Sequence, residues 1–160
     1  MKITKSAIYY NVLVNIPVCF ALSLGGALVN SSNIDWANFG VNYAVSFVLA
    51  MLIGLFIPLT AIGRWFTGLF HVDNKTYTNN LRYRLLATLI SSLIFYLIIS
   101  PFLTVMNYFL LGAKDPLNTF YHWLVNFPFL FLVGYTSTLI SDITAYKVAH
   151  KVRSEEHTSE

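Results

Sequence analysis

Apolar residues in this chain neither alternate nor keep to one helical face. They run on in four blocks with polar stretches between them. A segment that stays apolar all round for about 20 residues has the length and character of a helix crossing a bilayer core. Four runs qualify: Ala7–Val29, Phe39–Ile62, Leu85–Leu111 and Trp123–Tyr146. "NSSNIDWAN" separates the first pair, "GAKDPLNTFYH" the last pair, and the longer "GRWFTGLFHVDNKTYTNNLRYR" joins the halves. The pattern predicts an all-α chain folded as an integral membrane four-helix bundle. The first run is expected to be retained: its apolar stretch exceeds a signal-peptide core and contains Asn11, Asn15 and Pro17.

Composition narrows the function classes. The chain is 56% hydrophobic and 11% charged, against about a quarter charged in soluble domains. Its net charge of +3 is no nucleic-acid signature, because the basic residues sit at the ends of apolar runs. Nucleic acid is therefore excluded as a partner; the lipid bilayer is expected, with a second copy or another membrane protein. Cys19 is the lone cysteine, so neither a disulfide framework nor a cysteine-based metal motif is available. No HExxH, paired carboxylates, Gly-rich phosphate loop or Cys/His cluster occurs, and no enzyme activity, catalytic residue, metal or cofactor is expected.

Charge also sets a direction. Lys2, Lys5, Arg64, Lys75, Arg82, Arg84, Lys147, Lys151 and Arg153 fall on one side of a four-span arrangement, and Lys114 on the other. Positive charge is retained in the cytoplasm, so both termini and the central loop are expected there. Trp36 and Trp123 open the second and fourth runs and Trp65 closes the second, as interfacial aromatics do. Within the loop, "RWFTGLF" has the character of a segment lying in the headgroup region, with Trp65, Phe66, Leu69 and Phe70 buried there.

Sliding the chain over itself by 84 positions brings Pro17 onto Pro101, Leu13 onto Leu97 and Phe47 onto Phe131. In the same register "VNY" (Val41–Tyr43) meets "VNF" (Val125–Phe127), and "LTA" (Leu59–Ala61) meets "ITA" (Ile143–Ala145). An internal duplication follows: residues 1–68 and 85–152 each form a two-span unit, 69–84 a cytoplasmic linker. Two spans per unit give both copies the same orientation, as parallel-repeat helical hairpins.

The unit, with its short outer loop, its aromatic opening "WANFGVNYAVSF" or "HWLVNFPFLF" and its closing basic residue, resembles the small bacterial membrane proteins of domain-of-unknown-function family 2798. Longer members of that family carry the unit twice. The proline and basic residue at the end of its second span correspond to Pro58 and Arg64, while the second copy departs from this with Asp142 and Lys147. The resemblance implies no activity.

Three residues are the candidates for a polar interface or path: Asn42, Asn126 and Asp142. Asn42, Ser46, Ala50 and Gly54 recur at four-residue steps in the second run; Asn126, Leu130, Gly134, Thr138 and Asp142 do so in the fourth. Such stripes wind slowly round a helix and suit close packing in lipid, where small and polar residues join helices. Either the amides specify packing or they line a solute path between the repeats. Asp142 is the one acid inside an apolar run; Lys147 and Tyr146 stand nearby in sequence. The expected function is structural or accessory, the alternative a small channel or transporter.

The last eight residues, "RSEEHTSE", hold all three glutamates of the chain. Back-translated as AGA TCG GAA GAG CAC ACG TCT GAA, they resemble a common short-read sequencing adapter. Arg153–Glu160 is accordingly expected to be a library artefact, with the native chain uncertain beyond Val152.

Overall fold

The computed structural model describes residues 4–30, 35–72, 81–111 and 115–158. It contains five helices: α1 (Lys5–Asn30), α2 (Trp36–Phe56), α3 (Leu59–Leu69), α4 (Leu81–Leu111) and α5 (Pro116–Thr158). No strand occurs among the described residues. α1, α2, α4 and α5 are long and apolar enough to cross a membrane, which makes this a multi-pass membrane protein in design. α5 runs for 43 residues and continues into the terminal eight as far as Thr158. At about 1.5 Å per residue it is roughly twice as long as a bilayer core is thick.

The expected second run, Phe39–Ile62, is divided. Pro58 lacks an N–H and its ring disfavours a helical residue before it, so Ile57 turns extended, with φ −91° and ψ 126°. The break follows 21 helical residues, about 31 Å of rise, and therefore falls where a helix starting at Trp36 has crossed the apolar layer. Freed backbone groups are re-used locally: the Ile57 N–H donates to Ile53 O at 2.8 Å and the Ala61 N–H to Pro58 O at 3.0 Å. By contrast Pro17, Pro101 and Pro128 lie inside helices that continue through them. Acidic caps start the two helices that follow the short connections. Asp35 accepts from the Ala37 and Asn38 N–H groups, Asp115 from those of Leu117 and Asn118.

α1 packs most extensively against α5 and also against α2; α4 packs against α5, α3 and, more loosely, α2. The order round the assembly is thus α2, α1, α5, α4. Two aromatic ladders run along the helices, one on α2 and one on α5. Along α2, Phe39, Tyr43 and Phe47 follow one another at 6.4 Å between centroids, and Phe20 of α1 meets the first two edge-on. Along α5, Trp123, Phe127, Phe131 and Tyr135 are spaced 5.7 to 6.2 Å apart, with Tyr96 of α4 edge-on at 4.8 Å from Phe127.

α3 lies against α4 with Gly63 over Ala87, where an added Cβ would come within 3.3 Å of the Ala87 methyl. Thr67 is fully buried and returns its hydroxyl to Arg64 O. Trp65, Leu69 and Phe70 project from the protein surface, whereas Phe66 is half-buried. The helix closes on His71 in the left-handed region (φ 54°), with Val72 N–H reaching back to Thr67 O and His71 N–H to Gly68 O. Residues 73–80 of the expected linker lie outside the described residues.

The tightest approach is between α1 and α2. A Cβ on Gly54 would stand 1.9 Å from Asn11 Oδ1, so only glycine admits this contact. Gly54→Ala is expected to destabilise the protein by about 2 kcal/mol, as overpacking does. Adding Asn11→Ala should return much of that loss in thermal melts of detergent-purified protein; independent losses would show that the two sites do not meet.

Candidate functional site

Each sequence stripe turns out to face α1. On α2, Ser46 is fully buried and its Oγ lies 3.5 Å from Ser23 Oγ of α1. Two turns further on, the Asn11 amide donates to Ala7 O at 2.9 Å and to Gly54 O at 3.4 Å. Between them Asn15, 2% exposed, directs its amide at the Met51 sulfur, 3.7 Å away. Asn11, Asn15, Cys19 and Ser23 are therefore a four-residue-step stripe on α1 complementary to that on α2, all four buried.

α5 meets another part of α1 by a different device. Leu130 covers Gly25, and Leu22 covers Gly134; a Cβ on either glycine would approach the facing leucine to 3.1 Å. These reciprocal large–small pairs let the two backbones draw close, the packing that substitutes for hydrophobic driving force in lipid. Asp142 ends this stripe. It is buried, and Tyr10 of α1 donates its hydroxyl to Asp142 Oδ1. Arg84 of α4 brings its Nε to 3.8 Å from Oδ2, and its Nη2 donates to Leu139 O at 3.4 Å. The side chains of Arg84 and Asp142 are 14% and 2% exposed, so the pair is largely withdrawn from solvent. A charge held there needs its counter-charge.

Of the three candidates, Asp142 enters a dense polar cluster. It joins α1, α4 and α5 at the end where α1 begins, in company with partners from other helices. Asn42 is half-buried on α2, its carbonyl accepting from Ser46 Oγ, and Asn126 is half-buried on α5. Among the described residues α2 and α5 have no extensive contact with each other, and α1 stands between their stripes. Neither asparagine lines the small central cavity. Sequence reading missed Tyr10 and Arg84 as partners of Asp142. The available signal was that an acid in an apolar run requires a cation, and Arg84 opens the neighbouring span.

At the opposite end of α4 and α5, Trp123 Nε1 donates to Ser100 Oγ at 2.6 Å. Among the described residues no three His, Cys, Asp or Glu side chains gather closely enough to hold a metal.

Removing one partner of the charge pair leaves the other buried and uncompensated. Asp142→Ala and Arg84→Ala are each expected to cost about 3 kcal/mol, and Tyr10→Phe about 1 kcal/mol. The double variant Arg84→Leu/Asp142→Leu should recover much of the loss, and melting of all four variants reads this out. No family model, curated protein or solved structure matches the chain.

Proposed function

We propose that this is a non-enzymatic, structural or accessory protein of the bacterial cytoplasmic membrane: a four-helix bundle of two repeated hairpins with both termini in the cytoplasm. The observation that carries the structural role is where the polar side chains go. Asn11 with Gly54, Ser23 with Ser46, and Asp142 with Tyr10 and Arg84 are engaged in joining helices. Residues so used fix packing.

The repeat draws support from the aromatic ladders. Phe39, Tyr43 and Phe47 on α2 occupy the positions that Trp123, Phe127 and Phe131 occupy on α5 in the register of the duplication. α3 has no matching helix in the second unit; at the matching place Asp142 replaces Pro58, and α5 runs on unbroken. The two-span unit resembles that of family 2798, and the last eight residues are read as adapter sequence. Orientation rests on the charge pattern of the sequence: with Arg153 set aside, eight basic residues fall on one side of a four-span arrangement and Lys114 on the other.

A channel or transporter is the second reading, favoured by the row of buried Asn11, Asn15 and Ser23 along α1. Asn11→Leu with Asn15→Leu separates the two readings, because these buried amides both join α1 to α2 and would line a path along α1. Reduced melting temperature and impaired assembly, with liposome permeability no different from protein-free vesicles, is the expected result. Solute flux through wild-type protein, lost in the variant while assembly stays normal, would favour transport. In intact cells, a reporter fused after Val152 should be active only in the cytoplasm.

A further inference from the structure

We propose that α4 and α5, at their ends remote from Asp142, form a lipid-binding cleft that holds one acyl chain of a membrane phospholipid. The cleft measures about 300 Å³ and is lined by Pro101, Thr104, Val105 and Tyr108 of α4 and by Phe120 and Trp123 of α5. An apolar cavity of roughly 150 Å³ is enough to take up benzene, so there is room here for more than a single ring. From Pro101 to Phe109 the α4 wall rises about 12 Å, a length that suits an extended chain.

The first hairpin shows what belongs in such a place. In the 84-residue register Thr104, Phe120 and Trp123 correspond to Phe20, Trp36 and Phe39. The aromatic pair keeps its spacing: Trp36 and Phe39 lie 5.8 Å apart between centroids, Phe120 and Trp123 5.4 Å. Phe20 sets its ring edge-on against Phe39 at 5.5 Å and Tyr43 at 6.3 Å, so the first hairpin supplies its own hydrocarbon there. Thr104 brings no ring, and its hydroxyl turns back to Ser100 O at 2.9 Å. The contrast rests on these contacts, whether or not the two hairpins share an origin.

The wall selects a hydrocarbon guest. Trp123 Nε1 donates to Ser100 Oγ at 2.6 Å, which fixes the indole as a wall and uses its one donor. Among the described residues no charged side chain lines the cleft, so an ionic guest would be buried without a counter-charge. Water gains little in an apolar space. Val105, Phe109 and Phe120, all in the wall, are also 55%, 76% and 58% exposed. In a bundle of membrane-crossing helices such a surface faces lipid, so the cleft opens onto acyl chains and continues the lipid-facing surface. Tyr108 and Trp123 then serve as boundary aromatics toward the headgroup end. The site goes beyond the packing role proposed above, because the second hairpin completes itself with a bound lipid.

Lipid retention measured by native mass spectrometry tests this. The full chain is reconstituted in nanodiscs of dioleoyl phosphatidylcholine, released into mild detergent and weighed. Thr104→Phe gives the second hairpin the ring that Phe20 gives the first; Thr136→Phe, at an exposed position elsewhere on α5, is the control. Expected is one phosphatidylcholine held by the wild type and by Thr136→Phe, with occupancy falling several-fold in Thr104→Phe. A wild type stripped of lipid would overturn the proposal, and so would equal retention in folded Thr104→Phe. A second copy of the chain found in place of the lipid, and released by the same substitution, would also overturn it. Should Thr104→Phe fail to assemble, Thr104→Leu decides in the same way.

Discussion

Everything in this molecule is arranged around the two-sided contact of α1. Lipid tails offer a helix nothing that leucine does not already have, so helices bind one another through close backbone approach and polar pairs. α1 supplies both, with amides and a serine toward α2 and glycine–leucine exchange toward α5. Because one helix serves both neighbours, α2 and α5 are held apart, and α4 closes the ring from the far side. The hydrogen-bonding stripe and the small–large stripe are thus two solutions to the same problem on one helix.

The charge pair answers a different requirement. A carboxylate inside an apolar run is costly unless neutralised, and Asp142 has Arg84 and Tyr10 converging on it from separate helices. That convergence fixes the relative height of α1, α4 and α5 at one end, while Trp123 and Ser100 tie α4 to α5 toward the other. α3 completes the basic end: the interruption at Pro58 frees it from α2, and Gly63 lets it settle on α4. Its exposed Trp65, Leu69 and Phe70 suit a headgroup boundary better than water.

Much of this was legible in the residues. Four apolar runs became four long helices, and the α2 and α5 stripes do lie in contacts. Pro58 should have been read as a stop, since the residue before a proline is driven out of the helical region, whereas Pro17, Pro101 and Pro128 are carried inside helices. Asp35 and Asp115 were legible caps left unused. The partner of each stripe was harder to see. Periodicity gives a face but not what it meets, and the 84-residue register pointed the α2 and α5 stripes toward a shared interface. Asn11 and Asn15 served only as an argument against a signal peptide, although with Cys19 and Ser23 they form the answering stripe. Arg84 stood out as an orientation charge, and nothing in a linear sequence distinguishes that use from a counter-charge to Asp142.

Cysteine cross-linking tests the central position of α1 most directly. In a Cys19→Ala background, Ser23→Cys paired with Ser46→Cys should oxidise readily to an intramolecular disulfide in membranes, because the native hydroxyls are 3.5 Å apart. Asn42→Cys paired with Asn126→Cys should stay reduced under the same oxidant. Ready bridging of the second pair with none of the first would place α2 against α5 and contradict the account.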